Sequence, residues 1–213
     1  MAKTIAFRGK EKSDFAYYIA KSLASNKFHV AVIDNSFSKD LFESIHQYND
    51  DDETCIEKEN IIYLKDAVCN EDFIEKFDFV IYYLGLNTRE LNTQYSFILP
   101  DYTNPSIMQV KSLDEELIGD SYFILRDKVC NKVTEKNIIH EFGINEDQMI
   151  GYLPLEYKDE VAYLNFGYCG RQRIKETSQD MQYAIMSALA IITGDDIKVI
   201  KKYYRKAKRN KRL

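Results

Sequence analysis

The chain has 213 residues, 45% of them hydrophobic, with only 3 Pro and 8 Gly, a composition that argues against disorder and is most simply one packed α/β domain. No apolar run reaches the ~18 residues that a membrane-crossing helix needs, and MAKTIAF passes from charge straight into a strand with no hydrophobic leader, so a cytoplasmic protein is expected. Net charge is −5, yet residues 201–213 hold eight bases and no acid; taking those eight from 29 bases leaves 21 against 34 acids, an acidic body at −13 with a basic end.

In chain order, TIAFRG (4–9) reads as a first strand. Residues 13–26 read as a helix with Ala16, Ile19, Ala20 and Leu23 on one face and Ser13 and Asp14 as start signals. FHVAVID (28–34) is a continuous apolar run suited to a strand buried on both faces of a parallel sheet, and a helix follows over 38–48. Residues 49–60, with Asp50, Asp51, Asp52 and Glu53, are expected to form a solvated loop, because the glycine and spacing of a calcium loop are missing. Strands are predicted at 61–66, 77–85 and 95–100, with a short helix at 71–77. Pro105 can open a helix near 105–117. A strand at 121–127, a helix at 134–143 closing on Gly143 and a last strand at 149–155 follow. Tyr157, Tyr163, Phe166 and Tyr168 then fall in a loop, as an interaction surface or as cover for the sheet edge. An apolar helix spans 177–193, capped by Thr177 or Ser178 and stopped by Gly194, and a final helix begins near Asp195. Strands joined by crossover helices predict a doubly wound, mostly parallel sheet with flanking helices, whose ligand sits at the carboxyl ends of the strands. We divide the chain into an α/β domain, 1–194, and a basic amphipathic helix and tail, 195–213.

The chemistry-bearing residues are few. Lys12-Ser13 stands where a phosphate-binding loop G-x-x-x-x-G-K-[ST] would end, between a strand and a helix. Gly9 is separated from Lys12 by only Lys10 and Glu11, and a carboxylate holds the second glycine position, which costs Coulomb energy against a polyphosphate. Cys55, Cys69, Cys130 and Cys169 lack metal or disulfide spacing, and His29, His46 and His140 have no paired arrangement, so no metal site is expected.

Taken in order, KTIAFRGKEKSDFAYYIAKSLA, VAVIDNS, FDFVIYYLG, SYFILRDKV and IGYLPLEYKDEVAYLNFGYCGR resemble the opening loop, second strand, Walker B strand, adenine-side strand and late loop of the ParA/MinD deviant-Walker nucleotide-binding family. The resemblance implies a P-loop NTPase-like fold and ATP with Mg²⁺ as the possible ligand. It places Gly9, Lys10, Lys12, Ser13, Asp34, Arg126 and Pro154 around that nucleotide, with Arg8 or Lys10 near the lysine that reaches a partner subunit's phosphates. Lys12 matches the Walker A lysine and Ser13 the Mg²⁺-ligating hydroxyl. Asp34 matches the first aspartate of the second strand and is the remaining acid able to hold Mg²⁺ or position a water. Three departures point away from turnover: the short loop with Glu11, Tyr83 at the Walker B aspartate, and Arg126 at the adenine-side Asn. Degenerate relatives of this sort include the TadZ/CpaE-type positioning proteins. The family's sandwich dimers imply a homodimer, and its positioning role implies a protein partner.

The basic end adds a third element. Ile197, Ile200, Tyr203 and Tyr204 fall on one helical face amid Lys201, Lys202, Arg205, Lys206, Lys208, Arg209, Lys211 and Arg212. Three readings stand: a helix packed on the body with a solvated end, attachment to an anionic membrane surface at the inner face of the membrane, or nucleic-acid binding through phosphates. The combined expectation is a scaffolding or positioning factor; the alternatives are a slow MgATPase switch and a DNA-associated regulator.

Overall fold

A computed structural model describes residues 2–46, 53–129, 134–170 and 173–209. Asp50, Asp51, Asp52, Cys130, Lys211 and Arg212 lie outside the described residues. The elements follow the order β1 (Lys3–Gly9), α1 (Asp14–Ala24), β2 (Val30–Asp34), α2 (Asp40–His46), β3 (Cys55–Lys58), β4 (Ile61–Lys65), α3 (Glu71–Ile74), β5 (Phe79–Gly85) and β6 (Tyr95–Leu99). Then come α4 (Asn104–Lys111), α5 (Glu115–Gly119), β7 (Ser121–Lys128), α6 (Glu135–Phe142), β8 (Met149–Pro154), α7 (Tyr157–Cys169), α8 (Gln179–Thr193) and α9 (Ile197–Arg209).

One sheet of order β3-β4-β2-β5-β1-β6-β7-β8 runs through the molecule, parallel except for the edge strand β3. β1 lies near its middle, with Ile5 opposite Ile81 of β5 on one side and Tyr95 of β6 on the other. Every residue of β2 and β5 is buried, as their unbroken apolar runs require. The doubly wound sheet with flanking helices is therefore the observed fold. On one face, Phe7, Phe15, Ile19 and Leu23 join Ile185 and Leu189 of α8 and Ile200 of α9 in the main core. Two smaller clusters cover the other face, one under α4 and α6 and one around Ala6, Ile33, Val80 and Leu84.

Three segments differ from the sequence expectation. Within 49–60, Cys55–Lys58 forms the antiparallel strand β3, which escapes notice because only Ile56 packs against the core and its neighbours are polar. The helix expected over 105–117 is two helices: Ser112 ends α4, and the Asp114 carboxylate accepts from Glu116 N (2.8 Å) to start α5. Residues 157–169 form α7 rather than a loop. Its buried face is Asp159, Ala162 and Phe166, while Tyr157 and Tyr168 stand exposed, so aromatic residues on both sides conceal the helical period.

All eleven residues of α1 are buried, because α7, α8 and α9 enclose the sides that a single apolar face would leave open. Tyr17 stacks on Phe166 of α7 at 4.5 Å between centroids. Helix α9 (Ile197–Arg209) packs on the body: Ile200, Tyr204 and Ala207 are buried, and Asn26 donates to the Tyr203 carbonyl (3.2 Å). Its apolar stripe is thus core, with Ile197 half exposed at one end. Ile200→Ala should cost about 2–5 kcal/mol, the range for large-to-small core changes, read as a lowered urea midpoint of one cooperative transition. An unchanged midpoint would mean that α9 is not part of the folding unit.

Candidate functional site

The carboxyl ends of β1, β2, β5 and β7 meet at the turn leading into α1. Gly9 ends β1 at φ +114°, and a Cβ there would lie 2.4 Å from the Leu99 carbonyl oxygen, so only glycine allows β1 to pass this close to β6. Lys10 N donates to Leu99 O (3.1 Å), Lys12 N to Lys10 O (2.8 Å), and Ser13 N to a carboxylate oxygen of Asp40 (3.1 Å). A helix start offers free N–H groups to an anion; here the anion at Ser13 is a side chain of α2. Ser13 takes the N-cap position in helical geometry without capping through its side chain. Its Oγ is fully buried with no hydrogen-bond partner among the described residues.

Both loop lysines are bound by carboxylates. Lys12 Nζ pairs with Glu160 of α7 and with Asp127 (3.1 Å), and sits 5.7 Å from the centre of the Tyr163 ring. Lys10 Nζ pairs with Asp127 (2.8 Å) and Asp101 (3.1 Å). Asp127 reaches both because it adopts φ 56°, a left-handed conformation that Asp tolerates, at an irregularity in the β7–β8 pairing. Burial pushes its carboxyl up, but hydrogen bonding to Lys10 and the charges of Arg126 and Lys12 outweigh that and hold it below the usual aspartate range. Asp101 is likewise held low: burial is outweighed by hydrogen bonds from Thr103 and Lys10. For Lys10, burial is outweighed by bonds to Asp127 and Asp101, which raise its pKa.

Arg126 is buried and grips Asp14 with two bonds (2.6 and 3.1 Å), with a third to the Lys12 carbonyl (3.3 Å). Burial would lower its pKa, but Asp14 more than offsets this and raises it. Asp34, also buried, accepts from Ser36 N (3.0 Å), Ser36 Oγ (2.6 Å) and Phe42 N (2.9 Å), and so ties the loop after β2 to α2. Burial raises its pKa despite those bonds. Tyr83 ends up buried beside Asp40, Asp34 and Glu11; burial first and those charges second push its hydroxyl well above the ordinary tyrosine value. The Glu11 side chain fills the space over Gly85, where a Cβ would lie 2.9 Å from its Cγ, and accepts from Phe37 N (3.3 Å).

Arg8 points to the other face of the sheet, where it donates to Asn87 O (3.3 Å), so of the two residues expected near a partner's phosphates only Lys10 lies beside the loop lysine. Pro154 closes β8 in register with Lys128. Of the basic end, Lys201, Lys202, Arg205, Lys206, Lys208 and Arg209 are exposed on α9. Sequence reasoning missed Asp40, Asp101, Asp127 and Glu160, and named Tyr163 only as part of an interaction surface or cover for the sheet edge. Only Asp127, adjacent to Arg126 in SYFILRD, carried a local signal; the others come from distant segments. Among the described residues, no group of His, Cys, Asp or Glu is arranged to hold a metal ion, and no helix is long and apolar enough to cross a membrane.

Compared by sequence, the chain matches no protein-family model and no curated protein. Its fold is that of the ParA/MinD ATPases. The MinD cell division protein of Aquifex aeolicus superposes with a TM-score of 0.64 at 16% identity, covering 92% of this chain and 98% of that one. A ParA family ATPase of Chlorobium tepidum gives 0.57 at 13%, covering 89% and 99%. A variant of McdA from Cyanothece, solved in complex with ATP, gives 0.51 at 11%, covering 92% and 97%.

Arg126→Met leaves the Asp14 carboxylate buried without its cation and should cost about 3–5 kcal/mol, whereas Asp14→Leu with Arg126→Met should recover most of that loss. Denaturant titrations of both variants check this; equal losses would refute the coupling. The lowered pKa values of Asp101 and Asp127 mean that their contribution is present above the unfolded aspartate value and fades as pH falls through the folded values, below about pH 4. Asp127→Asn should therefore lower the urea midpoint at pH 7 and leave it nearly unchanged at pH 2.

Proposed function

We propose that this chain is a catalytically degenerate ParA/MinD-type protein, a TadZ/CpaE-like positioning or scaffolding factor that works by self-association and by binding a protein partner or an anionic membrane surface. One observation carries this: around the loop three cations, Lys10, Lys12 and Arg126, are answered by four of the protein's own carboxylates, Asp14, Asp101, Asp127 and Glu160, while a fifth, Asp40, takes the Ser13 N–H. A triphosphate would have to displace Asp127 and Glu160 from Lys12 and Asp40 from the Ser13 N–H, charge-assisted bonds worth about 1.5–3 kcal/mol each. Tyr83, its hydroxyl neutral, supplies no carboxylate toward Mg²⁺. As arranged, the residues do not fit MgATP.

Self-association is supported by α7. Tyr157, Leu164 and Tyr168, 86%, 64% and 91% exposed, align with half-buried Val161 along one face. The flank beside it carries Glu160 and Tyr163 to Lys12, so a second copy docking on this stripe would lie next to the loop. Leu164→Glu should convert a dimer to a monomer in light scattering; an unchanged mass would remove α7 from the interface.

A second reading, a slow MgATP-dependent switch, is favoured by the orphaned, buried Ser13 Oγ beside Lys12, and the McdA neighbour was solved with ATP. Titration of the full chain with a fluorescent ATP analogue separates the two. The scaffold predicts no Mg²⁺-dependent, Lys12-dependent saturation below millimolar nucleotide; micromolar binding abolished by Lys12→Ala would establish the switch instead.

A further inference from the structure

The bases of α9 do not simply coat a tail. Arg205, Lys208 and Arg209 form one wall of a cavity of about 480 Å³, whose other walls are Lys21 of α1 and Arg173 and Lys175 from the turn that precedes α8. Among the described residues, Ala207 is the one uncharged residue lining it, and no carboxylate does. The convergence is a product of folding. Ile200, Tyr204 and Ala207 dock α9 against the body, and Ile174, 1% exposed, anchors the turn so that its neighbours Arg173 and Lys175 are left exposed. Lys21 forms a fixed floor, bonded to Tyr17 Oη (2.9 Å) and paired with Glu59 (3.2 Å). A second carboxylate close to these bases is Glu176, 3.7 Å from Arg173. The described residues that line the cavity thus include six cations and no acid, in a chain of net charge −5.

Like charges gathered in one concavity repel, and none of the residues lining it is an acid. The cavity lies toward the carboxyl-terminal end of α1, where the helix dipole favours cations. Its size suits a head group or small ligand, since ligand pockets run from about 300 to 1,000 Å³. Arg forks bind phosphate oxygens in pairs, and Lys adds mobile point charges. We propose that this cavity is a binding site for clustered phosphates, carried either by a soluble di- or triphosphate or by a phosphorylated lipid head group. A nucleic-acid duplex, a convex rod, would instead meet the outward bases Lys202 and Lys206.

A charge-matched pair of variants tests the assignment in the full chain. Arg173→Gln with Lys175→Gln removes two cavity charges, whereas Lys201→Gln with Lys202→Gln removes two charges of α9 that do not line it. Calorimetric titration with inorganic tripolyphosphate, and co-sedimentation with phosphatidylcholine vesicles containing phosphatidylinositol bisphosphate, provide the two arms. The cavity variant should weaken binding about tenfold in one arm or both, the α9 control at most about twofold. A response to tripolyphosphate alone assigns a soluble ligand, and a response to vesicles alone assigns a lipid head group. Equal losses in the two variants would show a diffuse basic surface and overturn the site, as would the absence of binding in both arms. Retardation of duplex DNA that falls equally with either variant, with neither arm responding, would overturn it in favour of nucleic acid.

Discussion

Arg126 is the charge around which the loop face is organised. It is fully enclosed, and a guanidinium in that position persists only if a carboxylate is fixed beside it. Asp14 fills that role, and because Asp14 is the first residue of α1, the bond sets where the helix begins against β7. The same guanidinium touches the Lys12 carbonyl, which holds the turn down. Its charge also reaches Asp127, the next residue, and helps keep that carboxylate ionised. Asp127 in turn holds Lys10 and Lys12. One buried cation thereby fixes a chain of alternating charges that ends at the residues expected to hold a nucleotide.

How much of this was readable follows from the range of the interactions. The strands of the parallel sheet are visible because full burial leaves a local mark, an unbroken apolar run such as VAVID or FVIYYLG. The helix caps at Gly143, Ser178 and Gly194 are visible for the same reason, since each acts within a few residues. β3 and α7 were not, because an edge strand with one core residue and a helix with aromatic residues on both sides break the two periods that sequence reading relies on. In the site, Lys12 and Ser13 are announced by their place between strand and helix. Their partners are not: Glu160 lies 148 residues from Lys12, and Asp40 lies 27 from Ser13. Spacing carries no trace of a contact that only the fold creates.

At the basic end composition alone left the choice open. Eight bases in thirteen residues read as a helix packed on the body with a solvated end, or as a segment available to an anionic membrane or a nucleic acid. The docked face of α9 removes the apolar stripe from the account, because Ile200 and Tyr204 are already committed to the core. A membrane role through those residues would require α9 to leave the body and expose the core beneath it. Electrostatic contact needs no such cost, since the bases stand on the outward flanks.

The two charged regions share α1. Its amino-terminal end carries the partial positive charge of the helix, and there the protein places the Asp40 carboxylate against the Ser13 N–H. Its carboxyl-terminal end carries the partial negative charge, and there Lys21 and the bases of α9 gather. From Ser13 to Lys21 is eight residues, about 12 Å at the helical rise. Along that distance the molecule passes from a surface rich in carboxylates to one rich in cations. At Ser13 the helix start is occupied by a carboxylate, whereas the cavity at the other end is lined by six cations. The cavity proposed for phosphates thus lies at the opposite end of α1 from the loop, away from the carboxyl ends of the strands.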